Sequence, residues 1–317
     1  MGTESLKVLK RMLLLLLLVC LGLSLPGCGE DEPRKKVDFS KVQDLPLAKP
    51  EDAVTYAYLP QYAHTVSYQR HHLVMDYLAK TTGLKIRQVF PDTFDEHMHM
   101  VGRGLIDITF SNPFIYVKMA DRYGAQAFAR IVEAEGQENF RGQIICRADN
   151  QEIKTLADLK GKRLIAVDPT SAGGYLYPWG LILESGLRQE DFAEIAFAPG
   201  PGGKQEKVVM AVYSGKYDVG LIREGTLEVV KDKIDLQQIR VLAFSHWYPG
   251  WVYAARKGLA PEKLAKIKEA LLALDYENPE HRQILDNAGF IKIIPARDGD
   301  FDVVRRLGQL VEMVGKD

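Results

Sequence analysis

Cysteine is scarce in this chain, occurring only at positions 20, 28 and 146. The first two fall in or beside an N-terminal apolar run, so Cys146 is left without a partner and no disulfide is expected. An excess of one charge is also lacking, with 41 Lys and Arg against 42 Asp and Glu. That balance gives no broad basic field and points to no nucleic-acid partner. No apolar run reaches the ~20 residues that span a bilayer. The chain has no Gly-x-Ser-x-Gly elbow, no His-Glu-x-x-His pair and no Gly-Lys-Ser/Thr phosphate loop, which argues against an enzyme. No fixed-period repeat is present, and no cofactor is expected. Histidine does cluster, at His64, His71, His72, His97 and His99. Neighbours one or two apart on a helix point about 100° or 200° apart, so neither close pair can share an ion well. Surface histidines and no metal site are expected.

What is present begins with an export signal. Lys7, Lys10 and Arg11 precede the apolar run Met12 to Leu23, which gives way to Leu25-Pro26-Gly27-Cys28. A basic start, a short apolar middle and small residues make a secretory signal peptide. Its last four residues resemble a bacterial lipobox, in which the cysteine becomes the lipidated first residue of the mature protein. Residues 1–27 are thus expected to be signal peptide and Cys28 the lipidation site. Removing Glu4, Lys7, Lys10 and Arg11 with the signal leaves 38 basic and 41 acidic residues, a net charge of −3. Residues 28–52 are polar and proline-punctuated, with little apolar surface to repay ordering, and read as a flexible tether.

The remaining stretch, about 265 residues, is long enough for one large or two medium α/β units. Strands and helices alternate along it. Val54 to Pro60, Leu84 to Phe90 and Leu105 to Phe110 read as strands. Between and after them come helical faces: one at Leu73, Val74, Tyr77 and Leu78, one over Phe94 to Gly104, and one over Phe114 to Tyr123. That alternation predicts mostly parallel sheets flanked by helices. Ligands then collect beyond the carboxyl ends of the strands.

Arg163 to Pro178 is the stretch on which the reading turns. Leu164 to Val167 is a buried strand, followed by a polar turn and by Gly173-Gly174, from which a helix departs. Backbone N–H groups at such a helix start are unpaired and favour an oxyanion, and the glycines would let a ligand approach the backbone.

Several segments carry a resemblance in one consistent order. They are Asp107-Ile108-Thr109-Phe110-Ser111-Asn112-Pro113-Phe114 with Tyr116-Val117, then Leu156 to Lys162, and then Asp168-Pro169 with Ser171, Gly173 to Leu176 and Pro178. Val208-Val209 with Ala211-Val212, Gly215 and Asp218 come last. Over roughly Val54 to Trp251 the chain resembles the phosphonate-binding-protein family, solute receptors of phosphate, phosphite and phosphonate ABC importers related to the alkanesulfonate receptors.

The resemblance implies an α/β, two-lobed type II periplasmic-binding-protein fold, each lobe a mostly parallel sheet flanked by helices, joined by two crossing strands. The crossings are expected near Gln143 to Arg147 and Leu242 to His246. Lobe 1 would then be 53–146 plus 244–317, and lobe 2 147–243. It also implies a solute receptor with permease and ATPase subunits as partners; a monomer is expected, and the lipobox-like segment adds a lipid anchor in the cell envelope, facing the periplasm or the outer face of the cytoplasmic membrane. The ligand would be a small oxyanion or an organic phosphonate-like molecule.

The candidate ligand residues are Ser171, Ala172, Gly173 and Gly174 in the cradle, and Tyr62, Ser111, Asn112 and Phe114 from the facing lobe. Lys204, Gln205, Asp218 and Trp247 complete the set. Phosphonate receptors of the family typically show Ser-Thr-Ser-Gly where this chain has Ser171-Ala172-Gly173-Gly174, and a histidine where it has Gln205. Two hydroxyls and a potential cation are therefore missing. A sensory receptor for a membrane signalling partner, and a receptor for a sulfonate or an uncharged solute, are the alternatives.

Overall fold

The computed structural model describes residues 53–62, 64–133, 136–200 and 204–314. The expected signal peptide, Cys28 and the tether lie outside them. In chain order the strands and helices begin β1 (Ala53–Tyr58), α1 (His64–Thr82), β2 (Lys85–Gln88), α2 (Phe94–Gly102), β3 (Ile108–Ser111), α3 (Pro113–Tyr123) and β4 (Gln126–Glu133). Then come β5 (Asn139–Phe140), β6 (Gly142–Arg147), β7 (Arg163–Ala166), a π-helical turn (Ala172–Leu176) running into α4 (Tyr177–Glu184), β8 (Glu194–Phe197), α5 (Lys204–Tyr213), β9 (Val219–Arg223), α6 (Thr226–Val230) and β10 (Ile239–Phe244). The last are β11 (Tyr248–Pro249), β12 (Val252–Ala255), α7 (Pro261–Leu272), α8 (Pro279–Ala288), β13 (Phe290–Pro295) and α9 (Asp302–Val314).

Local chemistry sets these boundaries. β1 reads Ala-Val-Thr-Tyr-Ala-Tyr, rich in β-branched and aromatic residues, and all six are buried. α1 stops at Gly83, whose φ of +70° suits a left-handed helix end that costs other residues strain. Thr93 caps α2 by accepting the Glu96 N–H at 3.1 Å. Asn112 caps α3 by accepting the N–H groups of Phe114 and Ile115, each at 2.9 Å.

Among the described residues two large sheets form, with strand orders β13-β4-β12-β3-β1-β2 and β10-β6-β9-β7-β8, besides the two-stranded pair β11-β5. The parallel pairing expected from the alternation of strands and helices holds for β2-β1-β3 and β8-β7-β9. Elsewhere both sheets are antiparallel, where β12, β4, β13, β6 and β10 join. In the five-stranded sheet, alternate residues feed opposite faces. Ile144 and Leu164 pack with Trp179 and Ile182 on one side, while Ile145 and Ile165 pack with Val208 and Val212 on the other.

The first expected crossing falls within β6, and the second overlaps the end of β10, with Ser245 and His246 beyond it. β6 pairs with β9 from Gly142↔Arg223 to Cys146↔Val219, and with β10 along its other edge. Both strands therefore lie wholly within the five-stranded sheet. Between the two sheets the chain passes through β5 and β11, paired antiparallel at Tyr248↔Phe140 and Pro249↔Asn139. Two-residue strands carry no periodicity that a sequence pattern can register.

The expected surface histidines need a second correction. His64 and His99 are exposed, but His71 and His97 are fully buried in the six-stranded half. His71 Nδ1 lies 2.5 Å from the Tyr56 hydroxyl, with Tyr58 stacked at 4.5 Å, and His97 Nε2 lies 2.5 Å from Thr109 Oγ1. Among the described residues no group of His, Cys, Asp and Glu could hold a metal. Cys146 is a free, buried thiol whose pKa burial raises.

Candidate functional site

The carboxyl ends of the parallel strands of both sheets face one cavity of about 750 Å³. Pro60 and Gln61 follow β1, Asp92 to Asp95 follow β2, and Asn112 follows β3. From the other sheet, Val167 to Gly173 follow β7, Gly200 follows β8, and Arg223 ends β9. Phe140 of β5 and Trp251, just before β12, line it as well.

The wall formed by residues 168 to 174 is tied down by its own side chains. Asp168 Oδ1 accepts the Thr170 N–H at 2.9 Å and its hydroxyl at 2.7 Å, closing the turn. Asp168 Oδ2 takes the Lys204 ammonium at 2.6 Å. Ser171 is buried, and its Oγ accepts the Gly174 N–H at 3.2 Å, capping the helical segment that continues to Glu184. The first N–H groups of that segment have no acceptor within it, as at any helix start, and Ala172 and Gly173 line the cavity.

The two glycines serve different contacts. A Cβ on Gly173 would stand 2.9 Å from Phe140 Cε2 and 3.1 Å from both Arg223 Cβ and Cγ. On Gly174 it would overlap Val167, 2.7 Å from its Cβ and nearer still to one methyl. Gly174 is absent from the cavity lining, so its missing side chain answers to the packing of chain on chain and not to the approach of a ligand.

Ser171, Ala172, Gly173, Asn112, Lys204 and Gln205 thus come together around one cavity. Asn112 spends its Oδ1 on the α3 cap, while its Nδ2 reaches across to Thr170 O at 3.5 Å. Gln205 Oε1 accepts the Arg223 N–H at 2.9 Å.

The other candidates stand elsewhere. Tyr62 lines a smaller neighbouring recess with Glu133, Gln205 and Arg223, and the Arg70 guanidinium lies 5.3 Å from its ring centre. Ser111 and Phe114 are buried, Phe114 in the core cluster of the six-stranded half, and neither reaches the cavity. Asp218 precedes β9, at the amino edge of the sheet. It binds the Arg163 N–H at 2.9 Å and its guanidinium at 2.9 Å, and the guanidinium bond holds its pKa below the usual carboxylate value. Trp247 is exposed and stacks with the Arg141 guanidinium at 4.3 Å, whereas Trp251 supplies the aromatic wall.

Arg223, Asp168, Phe140 and the acidic pair Asp92 and Asp95 line the cavity without having been singled out as ligand residues. Arg223 was open to discovery, because it is the last residue of a parallel strand, the position at which ligands gather. Every cation in the lining has a carboxylate partner: Lys204 pairs with Asp168, and Arg223 Nη2 pairs with Glu133 at the end of β4. Asp92 and Asp95 place negative charge on the α2 side of the lining.

The family model for ABC transporter, phosphonate, periplasmic substrate-binding protein matches residues 56–301. The chain is 27% identical over 311 residues to the phosphate-import protein PhnD of Mycolicibacterium smegmatis, covering 91% of this chain and 92% of that protein. Among solved structures it is similar to a binding protein component of an ABC phosphonate transporter from Pseudomonas aeruginosa, with a TM-score of 0.72, 17% identity, and 83% and 88% of the two chains covered. It is also similar to PhnD1 of Prochlorococcus marinus in complex with methylphosphonate, with a TM-score of 0.71, 16% identity, and 82% and 98% covered. These likenesses show the two-lobed fold. The chain belongs to the periplasmic substrate-binding proteins of phosphonate ABC transporters, a family of solute receptors and not of enzymes.

Proposed function

We propose that this receptor captures a small oxyanion, or an organic phosphonate or phosphate carrying one, in the cavity between its two sheets and delivers it to an ABC permease. The observation that carries the reading is the wall at Ser171 to Gly173, where a helix start meets the cavity at the carboxyl ends of both sets of parallel strands. The cavity size suits a small solute. Lobe boundaries follow from the same arrangement, with β5 and β11 as the crossings about which the lobes close on the ligand. Calorimetric titration of phosphate, phosphite, methylphosphonate, an alkanesulfonate and an uncharged solute into the purified protein tests it. Heat from the anions alone is the expected result, and binding confined to uncharged solutes refutes it.

The receptor works as a monomer tethered by lipid at Cys28, a reading supported by the sequence Leu25-Pro26-Gly27-Cys28 after a short apolar run. Replacing Cys28 by Ser should move the protein from the membrane fraction to the soluble one. Undiminished membrane retention would exclude the anchor.

A further inference from the structure

We propose that Arg223 is the side-chain cation met by an oxyanion in the cleft, and that Glu133 competes with that anion for the same guanidinium. This rests on reading the cleft as an anion site and names the charge that operates there. Arg223 ends β9 at the cavity wall, and its backbone N–H is fixed by Gln205 Oε1 at 2.9 Å. Its side chain fills the space that a side chain at position 173 would take, with Cβ and Cγ each 3.1 Å from where a Cβ would stand. The aliphatic stem of the arginine therefore lies against the backbone at the start of the helical segment. Charge and backbone donors meet at one wall.

The guanidinium is not used up by its partner. Nη2 donates to Glu133, and the guanidinium lies 5.0 Å from the Phe140 ring centre. Nε is buried and has no hydrogen-bond partner among the described residues. Five N–H donors in a planar fork can serve two anions, which an ammonium holding one carboxylate does less well. Lys204 is committed differently: its Asp168 partner is itself bound into the Thr170 turn, so drawing Lys204 away would leave that carboxylate without its cation. Glu133 ends β4 in the six-stranded sheet and Arg223 ends β9 in the five-stranded one, so the pair joins the two halves of the molecule beside the cavity. Arg70 also feels the charge of Glu133. Removing that carboxylate therefore makes the region more positive without touching the helix start.

The two members of this pair give opposite predictions, which separates a ligand-binding role from a merely structural one. Arg223→Gln should weaken binding of inorganic phosphate and methylphosphonate to the full chain at least tenfold. Glu133→Gln, which breaks the same ion pair, should tighten it several-fold. Arg223→Lys should fall between the first variant and the unaltered chain. Titration calorimetry reads all three, with circular dichroism to check folding. If Arg223→Gln does not fold, the sign for Glu133→Gln decides: tighter binding supports the assignment, and equal or weaker binding overturns it. Should the unaltered chain bind neither anion, the anion reading of the cleft falls and this assignment with it. Should it bind them while Arg223→Gln binds them equally, or while both variants shift affinity the same way, the assignment alone falls.

Discussion

Gly173 and Gly174 are neighbours in the chain whose missing side chains answer to different parts of the molecule. At Gly174 an added methyl meets Val167, which is buried in the strand-to-turn connection and has no room to move. At Gly173 it meets the flexible stem of Arg223 and the edge of the Phe140 ring, both at the cavity. Gly174→Ala should therefore cost about 1–3 kcal/mol by overpacking. Gly173→Ala should cost less stability while weakening anion binding, because it displaces the arginine. Urea unfolding of the two variants checks this, and equal losses of stability would show that the distinction does not hold. In the sequence the pair reads only as a place where backbone is approached closely. Which atoms approach depends on Arg223, fifty residues later, and no local pattern contains that information.

Carboxylates at the amino ends of parallel strands hold elements together, and two of them differ in how much rests on them. Asp107, just before β3, is buried and binds the Thr55 N–H at 2.9 Å and Arg256 Nε at 2.7 Å, so it joins β1, β3 and the end of β12. Asp218 joins β7 to β9 in the same manner but is partly exposed, as is its partner Arg163. Replacing Asp107 by Ala should cost about 3–5 kcal/mol, the range for breaking a buried pair. Replacing Asp218 should cost about 1 kcal/mol, because solvent screens the pair, and should leave ligand affinity unchanged. Equal costs from chemical denaturation, or a change in affinity on replacing Asp218, would contradict this account. Asp218 was a candidate ligand residue because the motif around it matches the family. The motif is legible in the sequence, but the sheet edge it occupies is set by strand direction.

Acid bears on the whole molecule through two histidines in the core of the six-stranded half. Burial lowers the pKa of both His71 and His97 from 6.5 to about 3, and the nearby Arg70 adds to the effect at His71. Between those values the unfolded chain binds a proton at each site that the folded chain does not. Stability therefore falls as pH drops from about 6.5 towards 3, by about 1.4 kcal/mol per pH unit for each histidine. His71→Gln should remove about half of the slope these two groups supply, measured as unfolding free energy against pH. An unchanged slope would show that His71 does not titrate on unfolding. Among the described residues no helix is long and apolar enough to cross a membrane, and the family works outside the cytoplasm.

The sequence by itself determined the family and the alternation of strands and helices along the chain. Both rest on contacts within a few residues, or on a pattern long enough to be distinctive. Only the tertiary structure decided that β6 and β10 belong to one sheet, that two-residue strands make the passages between the sheets, and that His71 and His97 are core residues. It also brought Arg223 against Gly173 and into an ion pair with Glu133. Such groupings depend on strand order and direction, which bring together residues 50 or 90 positions apart along the chain. Composition and spacing cannot rank those encounters, because every one is made by a sheet and not by a segment.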